Sequence, residues 1–351
     1  MRAKLFYLGL IASFIASGAL HYLHADSTLQ FVVSCAAIIF VAGFLGKATE
    51  SVAHYAGERL GGFLNATFGN AAELIIAIFL VRDGLFDMVK ASLTGSIIGN
   101  LLLVLGLSVL AGGLKFKEQT FNVKLASHNA SLMFLAIIAL VIPAVFSRSF
   151  TIKETNMLSI FVAALLIIAY LLWLLFSMVT HKTELADQVV AGHAEEEHPA
   201  WSAKLSVFLL LLATVMTALV SEWLVGTVHE FSAQFGLSEL FIGAFLIAII
   251  GNAAEHSAAV FLALKNKMGA AVEIAVGSSL QIALFVAPVL VIASWMMGNP
   301  MDLVFTFYEL AAITVAVLIA KSISQDGQSN WYEGVLLLVV YLILGIAFFL
   351  V

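Results

Sequence analysis

A five-residue word, Gly-Asn-Ala-Ala-Glu, occurs twice in this chain, at 69–73 and again at 251–255. The offset is 182 residues, and holding it without gaps also puts Gly95-Ser96 on Gly277-Ser278. Over 69–110 against 251–292 the two stretches share 13 identities in 42 positions. Shared apolar composition explains matches among Leu, Val and Ala. It does not explain a polar word with a second Gly-Ser in register, so the chain is an internal duplication. Both copies lie in apolar surroundings. The 351 residues are 62% hydrophobic and 11% charged, with a mean hydropathy of +1.07. Soluble domains run at about 45–50% and about 25%. A water-soluble enzyme, a disordered chain and a nucleic-acid binder are excluded; the net charge of -6 offers phosphates no basic footprint. One cysteine, Cys35, rules out a disulfide framework and a thiolate metal site.

What remains is an all-α polytopic membrane protein, with its backbone satisfied inside helices. A span needs about 20 apolar residues. Eleven candidates run over 5–22, 31–56, 62–82, 91–113, 125–147, 157–180, 203–231, 239–264, 270–297, 303–321 and 332–351. Gly61-Gly62, Arg82-Asp83-Gly84 and Gly298-Asn299-Pro300 are among the breaks. The first run follows Arg2 and Lys4 and could be read as a signal peptide. A second span follows almost at once, so a retained helix is the reading adopted. Lys and Arg favour cytoplasmic loops. With the N-terminus inside, the inner loops hold 11 such residues and the outer loops 4, which places the C-terminus outside.

The words fall in the third and eighth spans, five apart. Five is odd, so the copies cross the membrane in opposite directions. The expected organisation is an extra N-terminal helix (1–25), a five-helix repeat (26–180), an acidic cytoplasmic linker (181–202) and a second, inverted five-helix repeat (203–351). Inverted repeats place substrate near the midplane on interrupted helices.

Glu73 and Glu255 each fall about a dozen residues into a span, near mid-membrane at 1.5 Å per residue. A charge there costs about 2.5–3.5 kcal/mol on insertion scales. The alternative to a functional pair is two buried glutamates, each hydrogen-bonded to a neighbouring helix. Two carboxylates facing each other across a pseudo-twofold axis suit a divalent cation with hard oxygen ligands. They also suit protons, which relieve the cost of burying neighbouring charges. Asn70 and Asn252 stand three residues before each acid, on its helical face. Gly69 and Gly251 precede them, either to unwind the helix and free carbonyl oxygens or simply to allow close packing. Ser96 and Asn100 in the fourth span, and Ser278 and Gln281 in the ninth, add polar groups, although serines in membrane helices often bond only their own backbone. The position matching Asn100 is Ile282.

His256 follows Glu255 and is a candidate for proton coupling alongside Glu73 and Glu255. Glu50 and Glu222, late in the second and seventh spans, are gating candidates or interface anchors. His54, His128, His229, Glu230, Glu273 and Glu309 lie nearer helix ends, where snorkelling accounts for them. Glu195, Glu196 and Glu197 make the linker a candidate regulatory segment or simply a solvated one; no EF-hand run is present. No phosphate-binding loop is found, so uphill transport would draw on an ion gradient.

The two words, with Gly95-Ser96-Ile97-Ile98-Gly99-Asn100 and Gly277-Ser278-Ser279-Leu280-Gln281, resemble the paired motifs of the calcium/proton antiporters in the cation/calcium exchanger superfamily. The resemblance covers almost the whole chain. It implies Ca²⁺ export in exchange for protons, Ca²⁺ ligation centred on Glu73 and Glu255, and a homo-oligomer, a trimer; the missing ATPase and dinucleotide motifs lead us to expect no cofactor. The sodium/calcium branch is the near alternative. Its motifs carry other residues, and here the ninth span has Gln281 and Ile282 with no acid, which favours protons. A cation channel selects with rings from several subunits; this chain holds its own two-fold pair. An intramembrane enzyme would need a nucleophile or a zinc signature, and neither accompanies the pair.

Overall fold

The computed structural model describes residues 2–181 and 200–351. Glu195, Glu196, Glu197 and most of the expected linker lie outside the described residues. The chain opens with α1 (Arg2–Tyr22), α2 (Ser27–Phe68) and α3 (Ala71–Arg82). Next come α4 (Phe86–Ile98), a π-helical stretch (Gly99–Val104) and α5 (Leu105–Phe116). Strand β1 (Glu118–Thr120), α6 (Val123–Phe146) and α7 (Ile152–Leu175) complete this part. After residue 200 come α8 (Ala203–Phe235), the short α9 (Glu239–Phe241), a π-helical stretch (Ile242–Ile247), α10 (Ala248–Gly251) and α11 (Ala253–Leu264). Then follow α12 (Met268–Gln281), a π-helical stretch (Ile282–Val286), α13 (Ala287–Met296) and α14 (Phe307–Ile323). Strand β2 (Gln328–Asn330) and α15 (Trp331–Leu350) end the chain.

The protein is an integral, multi-pass helical membrane protein. Among the described residues, eight helices are long and apolar enough to cross a membrane, or nine when the bent pair 239–251 and 253–264 counts as one span. The other two of the eleven expected spans fall short for identifiable reasons. In the third, the chain breaks at Gly69-Asn70 and leaves α3 with 12 residues. In the tenth, α14 has 17 residues, because the stretch before Phe307 is extended. The break expected at Gly61-Gly62 is a different matter, since the helical assignment of α2 runs through it. The chain still turns there. A Cβ on Gly61 would collide with the Ala53 carbonyl, whereas eight residues of straight helix span about 12 Å.

The long helices α2 and α8 pack along each other, and α1 lies against both. Ser17 and Ser34, both buried, share a 2.8 Å hydrogen bond across the α1–α2 contact. At the centre, α4 crosses the π-helical stretch 242–247 closely enough to require glycine on both sides. A Cβ on Gly95 would overlap the Ala244 backbone, and one on Gly243 would come within 2.8 Å of the Met88 carbonyl oxygen.

Buried irregular backbone must find partners within the protein. The extended stretch before α14 does so with side chains from several elements. Ser294 Oγ accepts from Met301 N (2.9 Å), and Ser159 Oγ accepts from Leu303 N (3.0 Å). The buried Lys90 on α4 donates to the Val304 carbonyl and to Asp302 Oδ1, each at 3.0 Å. Glu309 is 1% exposed and closes a capping box with Thr306. Glu309 lies at a helix end but does not snorkel; its buried side chain satisfies the first turn of α14. At the other end of the fold, β1 pairs antiparallel with β2, Gln119 opposite Ser329.

Candidate cation site at the crossing of the two half-helices

The repeated word makes a helix break in both copies. Asn70 (φ -93°, ψ 18°) and Asn252 (φ -100°, ψ 4°) leave helical geometry and stand as N-caps of α3 and α11. The second break bends the chain by 60°. Neither asparagine caps its own helix with its side chain. Glu73 and Glu255 therefore sit in the first turn of a half-helix inside the protein. There, unpaired backbone N–H groups and the helix dipole favour negative charge.

Hydrogen bonding then joins the copies crosswise. Glu73 Oε1 accepts from Ser96 of its own repeat and from Asn252 of the other. Asn252 Nδ2 also lies 3.1 Å from Ser96 Oγ and 3.0 Å from the Ala248 carbonyl, so its two N–H groups are shared among three acceptors. In the second half, Ser278 Oγ lies 2.7 Å from Glu255 Oε2 and 2.9 Å from Asn70 Oδ1. One hydroxyl proton serves both contacts, so the bond Ser278 makes depends on whether Glu255 is charged. Each acid is thus matched to the serine 23 residues after it and, directly or through that serine, to the asparagine of the opposite copy. The shared helical face expected for Asn70 with Glu73, and for Asn252 with Glu255, is not where the amides go. The break turns each away from its own acid.

The halves also differ. Asn70 Nδ2 donates to Gln281 Oε1 at 2.6 Å, which fixes the amide so that Oδ1 faces Ser278. The position equivalent to Gln281 is Gly99, so the first half has no counterpart. Glu73 is buried while Glu255 is half-buried. Gly251 is buried, and a Cβ there would sit 3.3 Å from Glu73 Cγ; Gly69 is exposed. Glu73 Oε2 is buried and lacks a hydrogen bond among the described residues.

Several other expected residues lie outside this network. Asn100, on the π-helical stretch after α4, is 1% exposed, and its Nδ2 finds no hydrogen bond among the described residues. The half-buried His256 likewise has an unpaired Nε2, and no contact joins it to Glu255. Glu222 is exposed and pairs with Arg82 at the end of α3 (2.9 Å), while Arg82 also holds Asp83 (2.9 Å). Glu50 is exposed on α2. Among the described residues no group of three or more His, Cys, Asp and Glu gathers. The donor set is two carboxylates with neutral amide and hydroxyl oxygens, the hard-oxygen chemistry that suits Ca²⁺ better than a thiophilic metal.

The sequence pattern of the sodium/calcium exchanger protein family matches residues 26–179 and 205–350. This chain belongs to that family. Within the family, its likeness is to proteins named for calcium/proton exchange, as the motifs suggested. It is 52% identical to the Ca²⁺/H⁺ antiporter ChaA of Bacillus subtilis (strain 168) over 329 residues, covering 93% of this chain and 94% of that protein. It is 50% identical to the Ca²⁺/H⁺ antiporter of Aphanothece halophytica over 343 residues, covering 94% and 92%. Among solved structures it matches native YfkE at 47% identity with a TM-score of 0.87, over 99% of this chain and 100% of that one.

Proposed function

We propose that this chain is a secondary antiporter that exports Ca²⁺ in exchange for protons by alternating access. The supporting observation is the crosswise network, in which Glu73 and Glu255 on opposed half-helices are joined through Ser96, Asn252, Ser278 and Asn70. Relatives about half identical over nearly their full length are named Ca²⁺/H⁺ antiporters. On this reading, Glu73 and Glu255 bind Ca²⁺ when deprotonated. Asn70, Asn252, Ser96, Ser278 and carbonyls freed at the breaks complete the oxygen shell. Gln281 acts through Asn70 rather than as a ligand. Protons entering from the opposite side neutralise the carboxylates and release the ion.

Two bare carboxylates at the midplane would cost about 2.5–3.5 kcal/mol each on insertion scales. An empty, deprotonated carrier is therefore slow to reorient, and that penalty couples the two fluxes. The long helices α2 and α8 slide or tilt against the crossed core, with the N-terminus on the cytoplasmic side. Glu222 with Arg82, and Glu50, belong to gates along these helices. His256, one residue from Glu255, relays protons.

The test is Ca²⁺ uptake into inside-out vesicles driven by an imposed pH gradient. Glu73→Gln and Glu255→Gln should each abolish uptake; persistence in either would remove that residue from the ligand set. A Na⁺ gradient in place of the pH gradient should drive little uptake, and equal uptake would shift the assignment to the sodium/calcium branch.

A further inference from the structure

The glutamate-bearing half-helices are tied across the repeats at their far ends as well. Helix α3 ends with Gly84 at φ +76°, and α11 ends with Asn266 at φ +61°. The closing hydrogen bonds are equivalent, residue for residue, under the 182 offset. Gly84 N donates to the Val81 carbonyl (3.1 Å) and Leu85 N to that of Leu80 (2.9 Å). Asn266 N donates to the Ala263 carbonyl (3.0 Å) and Lys267 N to that of Leu262 (2.9 Å). In both turns one carbonyl then accepts a second donor, an amide from the opposite repeat. Asn299 Nδ2 lies 3.2 Å from the Val81 oxygen, and Gln119 Nε2 lies 3.0 Å from the Ala263 oxygen. Gln119 is 2% exposed and also donates to Asn266 Oδ1 (2.9 Å). These amides do not align with each other in the repeat, since Gln119 matches Met301 and Asn299 matches Lys117. The same backbone acceptor is reached from different sequence positions.

We propose that Gln119 and Asn299 are positioning residues for cation exchange. They act as two cross-braces that, with the Asn–Glu–Ser network, fix each half-helix at both ends against the other repeat. The spacing between Glu73 and Glu255 is then set by a closed frame, α3 with the end of α13 and α11 with the end of α5. An oxygen shell assembled from both repeats needs that spacing held before the cation arrives, because ordering it on binding weakens affinity. The inference rests on the proposed role of Glu73 and Glu255.

The experiment compares Asn299→Ala, Gln119→Leu and the double variant with the unaltered chain in pH-driven Ca²⁺ uptake, with thermal stability measured in parallel. Each single variant should raise the half-saturating Ca²⁺ concentration about three- to ten-fold while maximal uptake stays within two-fold. The double variant should exceed either, and Asn299→Gln should recover part of the loss. An unchanged half-saturation in folded Asn299→Ala overturns the proposal. So does a fall in maximal rate and stability with affinity intact, which marks a merely structural contact. Asn299 is the milder site, with one hydrogen bond, so it remains informative if Gln119→Leu fails to fold. Glu73→Gln separates the two ideas: persistent uptake there refutes the ligand assignment whatever the braces do.

Discussion

Gly95 and Gly277 are equivalent under the repeat, yet the structure gives them different surroundings. A Cβ on Gly95 would overlap the Ala244 backbone, where α4 meets the π-helical stretch. A Cβ on Gly277 would meet nothing within 4 Å among the described residues. Ala in place of a helical Gly contributes about 0.5–1 kcal/mol through reduced freedom of the unfolded chain. Gly277→Ala should realise that gain. Gly95→Ala must in addition push α4 off a backbone that cannot yield as a flexible side chain would. Overpacking of this kind costs about 1–3 kcal/mol and more where backbone is struck. The unfolded-chain gain is common to both, so the two substitutions should differ by the overpacking cost, about 1–3 kcal/mol, with Gly95→Ala the less stable. The assay is thermal inactivation of detergent-solubilised protein, read as the temperature of half-loss of the monodisperse peak. Equal tolerance of both changes, or greater damage from Gly277→Ala, would refute the packing argument. Transport adds a second reading. Ala244 matches position 62 under the offset. A stable Gly277→Ala protein with slowed turnover is the expected sign that another element packs against Gly277 during the cycle.

Lys90→Met should strand Asp302 and the Val304 carbonyl and cost about 2–3 kcal/mol, discounted from the usual buried-pair figure because Asp302 is one-third exposed. Asp302→Asn on that background should recover part of the loss in the same thermal assay. Gln281→Leu frees the Asn70 amide to flip and should weaken half-saturation by Ca²⁺ about five- to ten-fold, the worth of one hydrogen bond of about 1–1.5 kcal/mol; an unchanged value removes Gln281 as the orienting group. Glu222→Gln releases an exposed ion pair and should change stability by under about 1 kcal/mol, so any larger effect on exchange would be gating rather than folding.

Much of the site was legible because intramembrane polar residues are costly and therefore few. Glu73, Glu255, Asn70, Asn252, Ser96 and Ser278 stand out in the sequence as a repeated pattern. Their pairing does not. A helical face predicts that Asn70 serves Glu73, and only the break at Asn70 sends its side chain to Ser278 beside Glu255. Gln119 and Asn299 were invisible because they match no equivalent residue in the other repeat. Glu309 looked like a helix-end anchor, since sequence reports its position near an end but not that its side chain is buried there.

By itself the sequence determined that the chain crosses a membrane many times and is duplicated with opposite orientation. Apolar length and odd span spacing are local and additive, so they survive without a structure. It also determined which oxygen-bearing residues occupy the apolar interior. Only the tertiary structure decided which of them meet and how far the two halves depart from symmetry. Those outcomes depend on contacts between residues about 180 positions apart, and whether a hydroxyl bonds its own helix or a distant carboxylate is settled by which helix lies opposite it.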